Sequence, residues 1–260
     1  MSFSRKDGDG RALSGPVPNR AAVFATTHWS VVLAAGNQPS PESTAALQRL
    51  CQTYWYPLYA HARRRGCSES DAEDVTQAFL AHLLDRQSFQ RVSPAKGRFR
   101  SFLLAAMNYF LSDVQDRNTS QKRGGGTIPI SFDAHDAEER YALEPVDGQS
   151  PDKIFERRWA LTLLDQVLAR LKNEFTDSGK ENQFARLSGY LIENDGAGSY
   201  AEAARDLGQT EEAIKKAVQR MRRRYGELFR DEIAQTVATP AEVDEEIRYV
   251  CGLVAGGSGA

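Results

Sequence analysis

The chain has 260 residues, of which 41% are hydrophobic and 26% are charged, and its 33 basic side chains nearly balance 35 acidic ones. This composition is typical of a folded protein and excludes collagen-like and wholly disordered chains. No apolar run approaches the roughly 18 residues of a membrane span, and the N-terminus lacks the apolar segment of a secretory signal. We therefore expect a cytoplasmic protein that does not enter a membrane.

The net charge of −2 hides a strong alternation along the chain. Residues 86–123 carry eight basic and two acidic side chains, whereas residues 132–156 carry eight acidic and two basic ones. Residues 213–226 carry six basic side chains and no acidic one. Two basic segments separated by an acidic one indicate two candidate surfaces for nucleic acid.

Apolar residues recur at helical spacing nearly everywhere, and no alternating β-branched run is long enough for a sheet. One helix is predicted at about 44–65, a second begins after a cap at Ser68, and a third is predicted at about 98–117. We predict an all-α protein in which two small helical domains are joined by an acidic flexible linker. Its predicted parts are a disordered N-terminus at 1–22, a first domain at 23–123, the linker at 124–153, a second domain at 154–234, and a C-terminal acidic helix with a flexible tail at 235–260. The C-terminal helix begins at Thr239, where Glu242 completes a capping-box pattern.

The most specific motif is a helix-turn-helix at 199–224. Ser199 and Glu202 form a capping-box pattern, Gly208 suits the turn, and Thr210 is a cap for the second helix. A basic second helix of this kind can lie in the major groove of DNA. Its outward side chains are Lys215, Lys216, Gln219, Arg220, Arg222, Arg223 and Arg224. The alternative is a plain pair of helices with a solvated basic face.

The first basic segment alternates arginine with phenylalanine at 98–102, at the start of the third helix. Guanidinium groups and aromatic rings together neutralise phosphates and stack unpaired bases. The alternative is that Phe99, Phe102 and Phe110 simply belong to the core. This holds above all for Phe102 and Phe110, because both lie on the apolar stripe of the helix.

Together these segments resemble an RNA polymerase sigma factor of the extracytoplasmic-function (ECF) type. Ser70–Leu80 is similar to region 2.2, Gly97–Arg123 to regions 2.3 and 2.4, and Ser199–Tyr225 to region 4.2. The resemblance covers about residues 25–123 and 155–234. It implies a protein that is not an enzyme, has no cofactor and lends promoter specificity to core RNA polymerase.

The resemblance also implies three sets of functional residues and no catalytic or metal-binding residue. The region 2.2-like helix binds core RNA polymerase through Asp71, Asp74, Gln77, Phe79, Leu80 and Leu83. The third helix and the residues after it bind the −10 element through Arg98, Phe99, Arg100, Phe102, Asn108, Tyr109, Lys122 and Arg123. The helix-turn-helix binds the −35 element through Thr210, Lys215, Lys216, Gln219, Arg220 and Arg223. The implied partners are promoter DNA and core RNA polymerase, contacted at its clamp coiled coil and its flap.

The chain departs from the usual family pattern in three places. Asn108-Tyr109 stands where the family often has an Arg-Asn pair, residues 172–198 are longer than the usual region 4.1, and an acidic helix follows region 4. The regulator implied is either an anti-sigma factor or this C-terminal extension itself. Its length and charge fit equally a helix that only covers apolar surface.

Two other classes of protein remain as alternatives. A stand-alone helix-turn-helix regulator usually dimerises and has no use for a region 2.2-like helix. A protein-binding adaptor does not explain both basic segments. No His or Cys spacing fits a zinc site and no glycine-rich motif fits a phosphate loop, which argues against an enzyme.

Overall fold

A computed structural model describes residues 41–84, 98–120, 134–142, 150–191 and 198–255. Every regular element in these ranges is helical, which confirms the all-α prediction. The α-helices are α1 (Pro41–Arg64), α2 (Glu69–Leu84), α3 (Phe99–Ser120), α4 (Ala134–Ala142), α5 (Pro151–Asp177), α6 (Glu181–Leu187), α7 (Tyr200–Asp206), α8 (Glu211–Ala234) and α9 (Val243–Ala255). Short 3₁₀ turns at Ser188–Tyr190 and Pro240–Glu242 follow α6 and precede α9. No helix in the described ranges is long and apolar enough to cross a membrane.

Local caps explain where several of these helices begin. The Ser68 hydroxyl accepts a hydrogen bond from the Asp71 backbone N–H (3.2 Å), so the predicted cap of α2 is present. Ser150 caps α5 in the same way, with Pro151 at the first helical position. Glu242 Oε2 accepts from the Thr239 backbone N–H (3.4 Å) just before α9, as the sequence pattern predicts.

The first three helices pack around aromatic side chains. Tyr54 of α1 meets Phe99 of α3 edge to face, with ring centroids 5.5 Å apart. Phe79 of α2 lies 5.7 Å from Phe110 of α3. Tyr54, Phe79 and Phe99 are buried, and burial of such side chains contributes about 1.5–3 kcal/mol each. Aromatic packing therefore fixes the start of α3 against α1.

Helix α5 packs antiparallel against α1 and connects the first three helices to the rest of the protein. Thr53 Oγ1 donates to Gln166 Oε1 (3.0 Å), and His61 Nδ1 lies 3.9 Å from Asp152 Oδ1. The inward face of α5 includes Trp159, which is fully buried. The two predicted domains thus share one continuous core in this conformation.

The predicted linker at 124–153 contains a helix that the sequence did not predict. Helix α4 docks on α1, where Glu138 accepts two hydrogen bonds from Arg63 (2.7 and 3.1 Å) and one from the Tyr59 hydroxyl. The Arg63 guanidinium also lies 5.0 Å from the ring centroid of Tyr141. The described part of the linker is therefore held against α1, which corrects the expectation of a flexible connection there.

Helix α9 closes the fold at its C-terminal end. It packs against α5 and α8, and its Val243 and Val250 are buried. Asp244, in its first turn, accepts a hydrogen bond from Arg230 of α8 (2.6 Å). The acidic first turn of α9 therefore contacts a basic side chain of α8 and does not face solvent alone.

Candidate nucleic-acid interface

Helices α7 and α8 form the predicted helix-turn-helix. Ser199 and Glu202 form a complete capping box at α7, and the Thr210 hydroxyl accepts from the Ala213 backbone N–H at α8 (3.2 Å). Gly208 in the turn has φ +63°, a left-handed conformation that glycine adopts without a Cβ clash. Ile214, with 0% exposure, packs α8 back onto α7. Thr210, a member of the expected −35 set, is therefore an exposed N-cap of α8.

One face of α8 carries an exposed row of basic and amide side chains. Lys215 and Lys216 pair with acids one turn earlier, at 2.8 and 3.7 Å, and Arg223 lies 3.7 Å from Glu227. Exposed pairs of this kind contribute little to stability because water screens them, so phosphates can replace the acids at little cost. Gln219 and Arg220 are exposed and form no ion pair or hydrogen bond with any residue in the described ranges. The row is therefore available to an anionic partner.

Arg222 and Arg224, expected to face outward, also brace α8 against the rest of the protein: Arg222 is exposed and the Arg224 side chain is 41% exposed. Arg222 donates from Nε and Nη2 to the backbone carbonyl of Tyr190 (2.9 and 2.6 Å). Arg224 forms a two-pronged pair with Glu174 of α5 (2.7 and 2.8 Å). Such two-pronged contacts fix the orientation of each guanidinium. Of the three successive arginines, Arg223 belongs to the exposed row, whereas Arg222 and Arg224 contact other parts of the protein.

The Arg224 pair predicts an acid-dependent contribution to stability. The hydrogen bond from Arg224 holds the pKa of the Glu174 carboxyl below its usual value. A carboxyl whose pKa is lower in the folded state stabilises the protein above its unfolded pKa, and this contribution is lost as pH falls through the folded pKa. We expect Arg224→Ala to flatten the decline of unfolding free energy below about pH 4.3, the usual pKa of a Glu side chain. Urea unfolding across this range measures it, and an unchanged pH profile in the variant contradicts it.

The start of α3 is buried, so two members of the expected −10 set are enclosed in this conformation. Phe99 has 0% exposure and belongs to the core, and Arg100 has only 3%. Arg100 pairs with Glu246 of α9, while its guanidinium lies 4.7 Å from the Trp159 ring centroid. Neither Phe99 nor Arg100 can contact DNA in this conformation.

The other members of the −10 set are placed differently. Phe102 is half-buried against Phe99, and Asn108 Oδ1 accepts from Nε2 of the buried His61 (2.8 Å). Tyr109 is 79% exposed, the only large hydrophobic side chain in the described ranges that is so exposed. Lys122 and Arg123 lie outside the described residues. Among the described members, Tyr109 therefore offers the most accessible surface for stacking.

The expected polymerase-binding residues of α2 divide between surface and core. Asp71 and Asp74 are exposed, and Gln77 is half-buried with its amide nitrogen 3.3 Å from Glu73 Oε1. The apolar members are all buried in the core: Phe79, Leu80 and Leu83. The expectation that these three anchor a partner is therefore wrong for this conformation, because their surface is already used in packing α2. The exposed acids remain available.

Acidic residues facing the −10 set were missed by sequence reasoning. Arg98 lies 2.8 Å from both Glu245 and Glu246 of α9, and Arg100 lies 3.7 Å from Glu156 of α5. The acidic character of α9 was visible in the sequence. Its pairing partners were not, because they precede it by nearly 150 residues.

The capped helix pair and the basic row on α8 are typical of the helix-turn-helix class of DNA-binding proteins. A family model described as ECF sigma factor matches residues 44–231, and no curated protein or solved structure matches the chain. The chain belongs to the ECF sigma factor family. Sigma factors of this family act in transcription initiation as regulatory proteins, with core RNA polymerase and promoter DNA as partners.

Proposed function

We propose that this protein binds core RNA polymerase through α2 and directs it to promoters with separate −10 and −35 elements. The exposed row on α8 carries the proposal: Lys215, Lys216, Gln219, Arg220 and Arg223 share one face of a properly capped recognition helix. Lys216 and Arg220 suit phosphates, which position the protein, while Lys215, Gln219 and Arg223 suit base edges, which specify sequence.

The −10 element requires a different kind of contact. A base extruded from the duplex costs a few kcal/mol, which stacking and phosphate contacts must offset. The exposed ring of Tyr109 can stack on a base, and Arg98 and Arg100 can neutralise the strand once they leave their acidic partners. Free protein is therefore expected to bind duplex DNA weakly and to open it only with polymerase.

Co-elution with sigma-free bacterial core polymerase, followed by transcription from a promoter library, tests the proposal. We expect a stable complex and transcripts from a subset of the library. Reversal of two exposed acids of α2, Asp71→Lys with Asp74→Lys, should abolish co-elution, because opposite charge steers and orients such contacts. A matched control reverses two exposed acids elsewhere, Asp177→Lys with Glu181→Lys, and should leave the complex intact.

Failure of wild-type protein to co-elute, together with tight binding of duplex DNA alone, would contradict the proposal and favour a stand-alone helix-turn-helix regulator. If both charge-reversed variants lost co-elution with core polymerase to the same extent, the role given to α2 would be contradicted. Co-elution without transcripts would support polymerase binding and contradict promoter recognition by the free full-length chain.

Arg220→Ala is expected to weaken duplex binding at every sequence and to reduce the slope of log affinity against log salt by about one. The reason is the loss of one phosphate contact from a side chain that has no competing partner in the described ranges. Titration of a labelled random duplex at several salt concentrations measures the slope. Arg65→Ala removes an exposed arginine after α1 and serves as the control. Loss of affinity at a single base pair only would show that Arg220 contacts a base.

A further inference from the structure

The first turn of α9 places two carboxylates on the arginines at the start of α3. Glu245 Oε1 lies 2.8 Å from Arg98 Nη2, and Glu246 Oε2 lies 2.8 Å from Arg98 Nε. Glu246 Oε1 accepts from Arg100 Nη1. Glu246 has 0% exposure and Arg100 has 3%, so this pair is removed from water.

An aromatic side chain of α9 completes the enclosure of Arg100. The Arg100 guanidinium lies 4.6 Å from the Tyr249 ring centroid and 4.7 Å from that of Trp159. The Tyr249 hydroxyl donates to Glu156 of α5, which ties α9 down beside the arginine. A buried ion pair is often no more stabilising than apolar residues of similar volume, so stability alone gives little reason for one here.

Carboxylates bind guanidinium groups with the same paired geometry as phosphates do. Glu245 and Glu246 therefore occupy the positions that a nucleic-acid backbone would take on Arg98 and Arg100. Docking of α9 and binding of a strand at the start of α3 are mutually exclusive for these two arginines.

Helix α9 also links the two proposed reading surfaces. Asp244 pairs with Arg230 of α8, while the next residue, Glu245, pairs with Arg98 of α3. Gln219 in the exposed row precedes Arg230 by eleven residues, or roughly 17 Å along the helix. The −10 and −35 elements are numbered by their positions on the DNA and so lie about 25 base pairs apart. At about 3.4 Å per base pair this is a distance of roughly 85 Å. The contacts made by α9 hold the two surfaces much closer together than this.

We propose that α9 is an internal competitor of nucleic acid: its carboxylates mask Arg98 and Arg100 and hold the chain closed until the helix is displaced. This inference rests on the proposed function, because it assigns the two arginines to the promoter strand. It makes the C-terminal extension a regulator within the same chain.

Two variants of opposite charge change test the competition on the full-length protein. Glu245→Gln with Glu246→Gln removes the competing carboxylates, and Val250→Asp undocks α9 by placing a charge at a buried position while adding an acid. The probe is a labelled random-sequence single-stranded DNA, titrated over a series of salt concentrations. Each phosphate contact on single strands adds about 0.7 to the salt slope, so both variants should steepen it by about 1.4. Asp177→Asn with Glu181→Gln is the matched control, since it removes two exposed carboxylates outside α9, and its slope should equal that of wild type.

Hydrogen exchange on the wild-type protein keeps the test independent of how the variants fold. Amides of α9 should exchange faster when the single-stranded DNA is added, and unchanged or slower exchange would overturn the proposal. So would wild-type slopes in both variants, or a steeper slope in the double glutamine variant alone, which would be an effect of net charge.

Transcription with core polymerase, run in parallel, separates this inference from the proposed function. Transcripts with unchanged slopes and exchange would leave the sigma function standing and remove α9 as a competitor. Steeper slopes in both variants without co-elution or transcripts would keep α9 as a brake on nucleic-acid binding and refute the sigma function.

Discussion

Trp159→Ala is expected to lower the free energy of unfolding by about 3–5 kcal/mol, the usual cost of deleting a buried aromatic side chain. Trp159 has 0% exposure on α5, and the guanidinium of Arg100 from α3 lies over its ring. Its removal leaves a cavity and takes away a partner of a buried cation. Because whole domains are stable by only about 5–15 kcal/mol, the change is large enough to measure by urea unfolding.

Tyr109→Ala is the matched control for this prediction. Tyr109 is also aromatic but is 79% exposed, so its truncation should change stability by no more than about 0.5 kcal/mol. A loss of less than about 1 kcal/mol for Trp159→Ala would contradict the packing of α5 against the first three helices in solution.

Glu246→Leu is also expected to be costly, at up to about 3–5 kcal/mol, because it leaves Arg100 buried without its main counter-charge. If α9 undocks in the variant, Arg100 is no longer enclosed. The cost therefore cannot exceed the free energy with which α9 docks on the rest of the protein. Arg100→Met combined with Glu246→Leu should recover most of the loss, since apolar pairs of similar volume often replace buried ion pairs without penalty. Chemical denaturation of the two single variants and the double variant measures the coupling.

An exposed ion pair on the same helix provides the comparison. Asp244→Asn breaks the pair between Asp244, whose side chain is 70% exposed, and Arg230, whose side chain is 46% exposed. Its cost should be far smaller than that of Glu246→Leu, because water screens an exposed pair. Additive losses in the Arg100 and Glu246 variants would contradict a direct pair between them. Equal costs for Glu246→Leu and Asp244→Asn would show that Glu246 is solvated.

The helix-turn-helix was predictable almost residue by residue from the sequence. Its caps at Ser199 and Thr210 and its glycine at 208 act on backbone groups no more than a few residues away, so their effect is visible in the local pattern. The starts of α2 and α9 were predictable for the same reason. Helix α4 was not predicted, because its main contacts are with Tyr59 and Arg63 of α1, far away in the sequence.

The sequence by itself determined that the chain is helical, where most helices begin, and that its segments follow the order of an ECF sigma factor. Only the tertiary structure decided which basic side chains are available: Arg220 is exposed, whereas Arg224 is bound by Glu174 and Arg100 by Glu246. The physical reason is range. Caps and hydrophobic periodicity act over one or two helical turns, whereas the burial and pairing of a charge depend on residues that approach only when distant segments pack together.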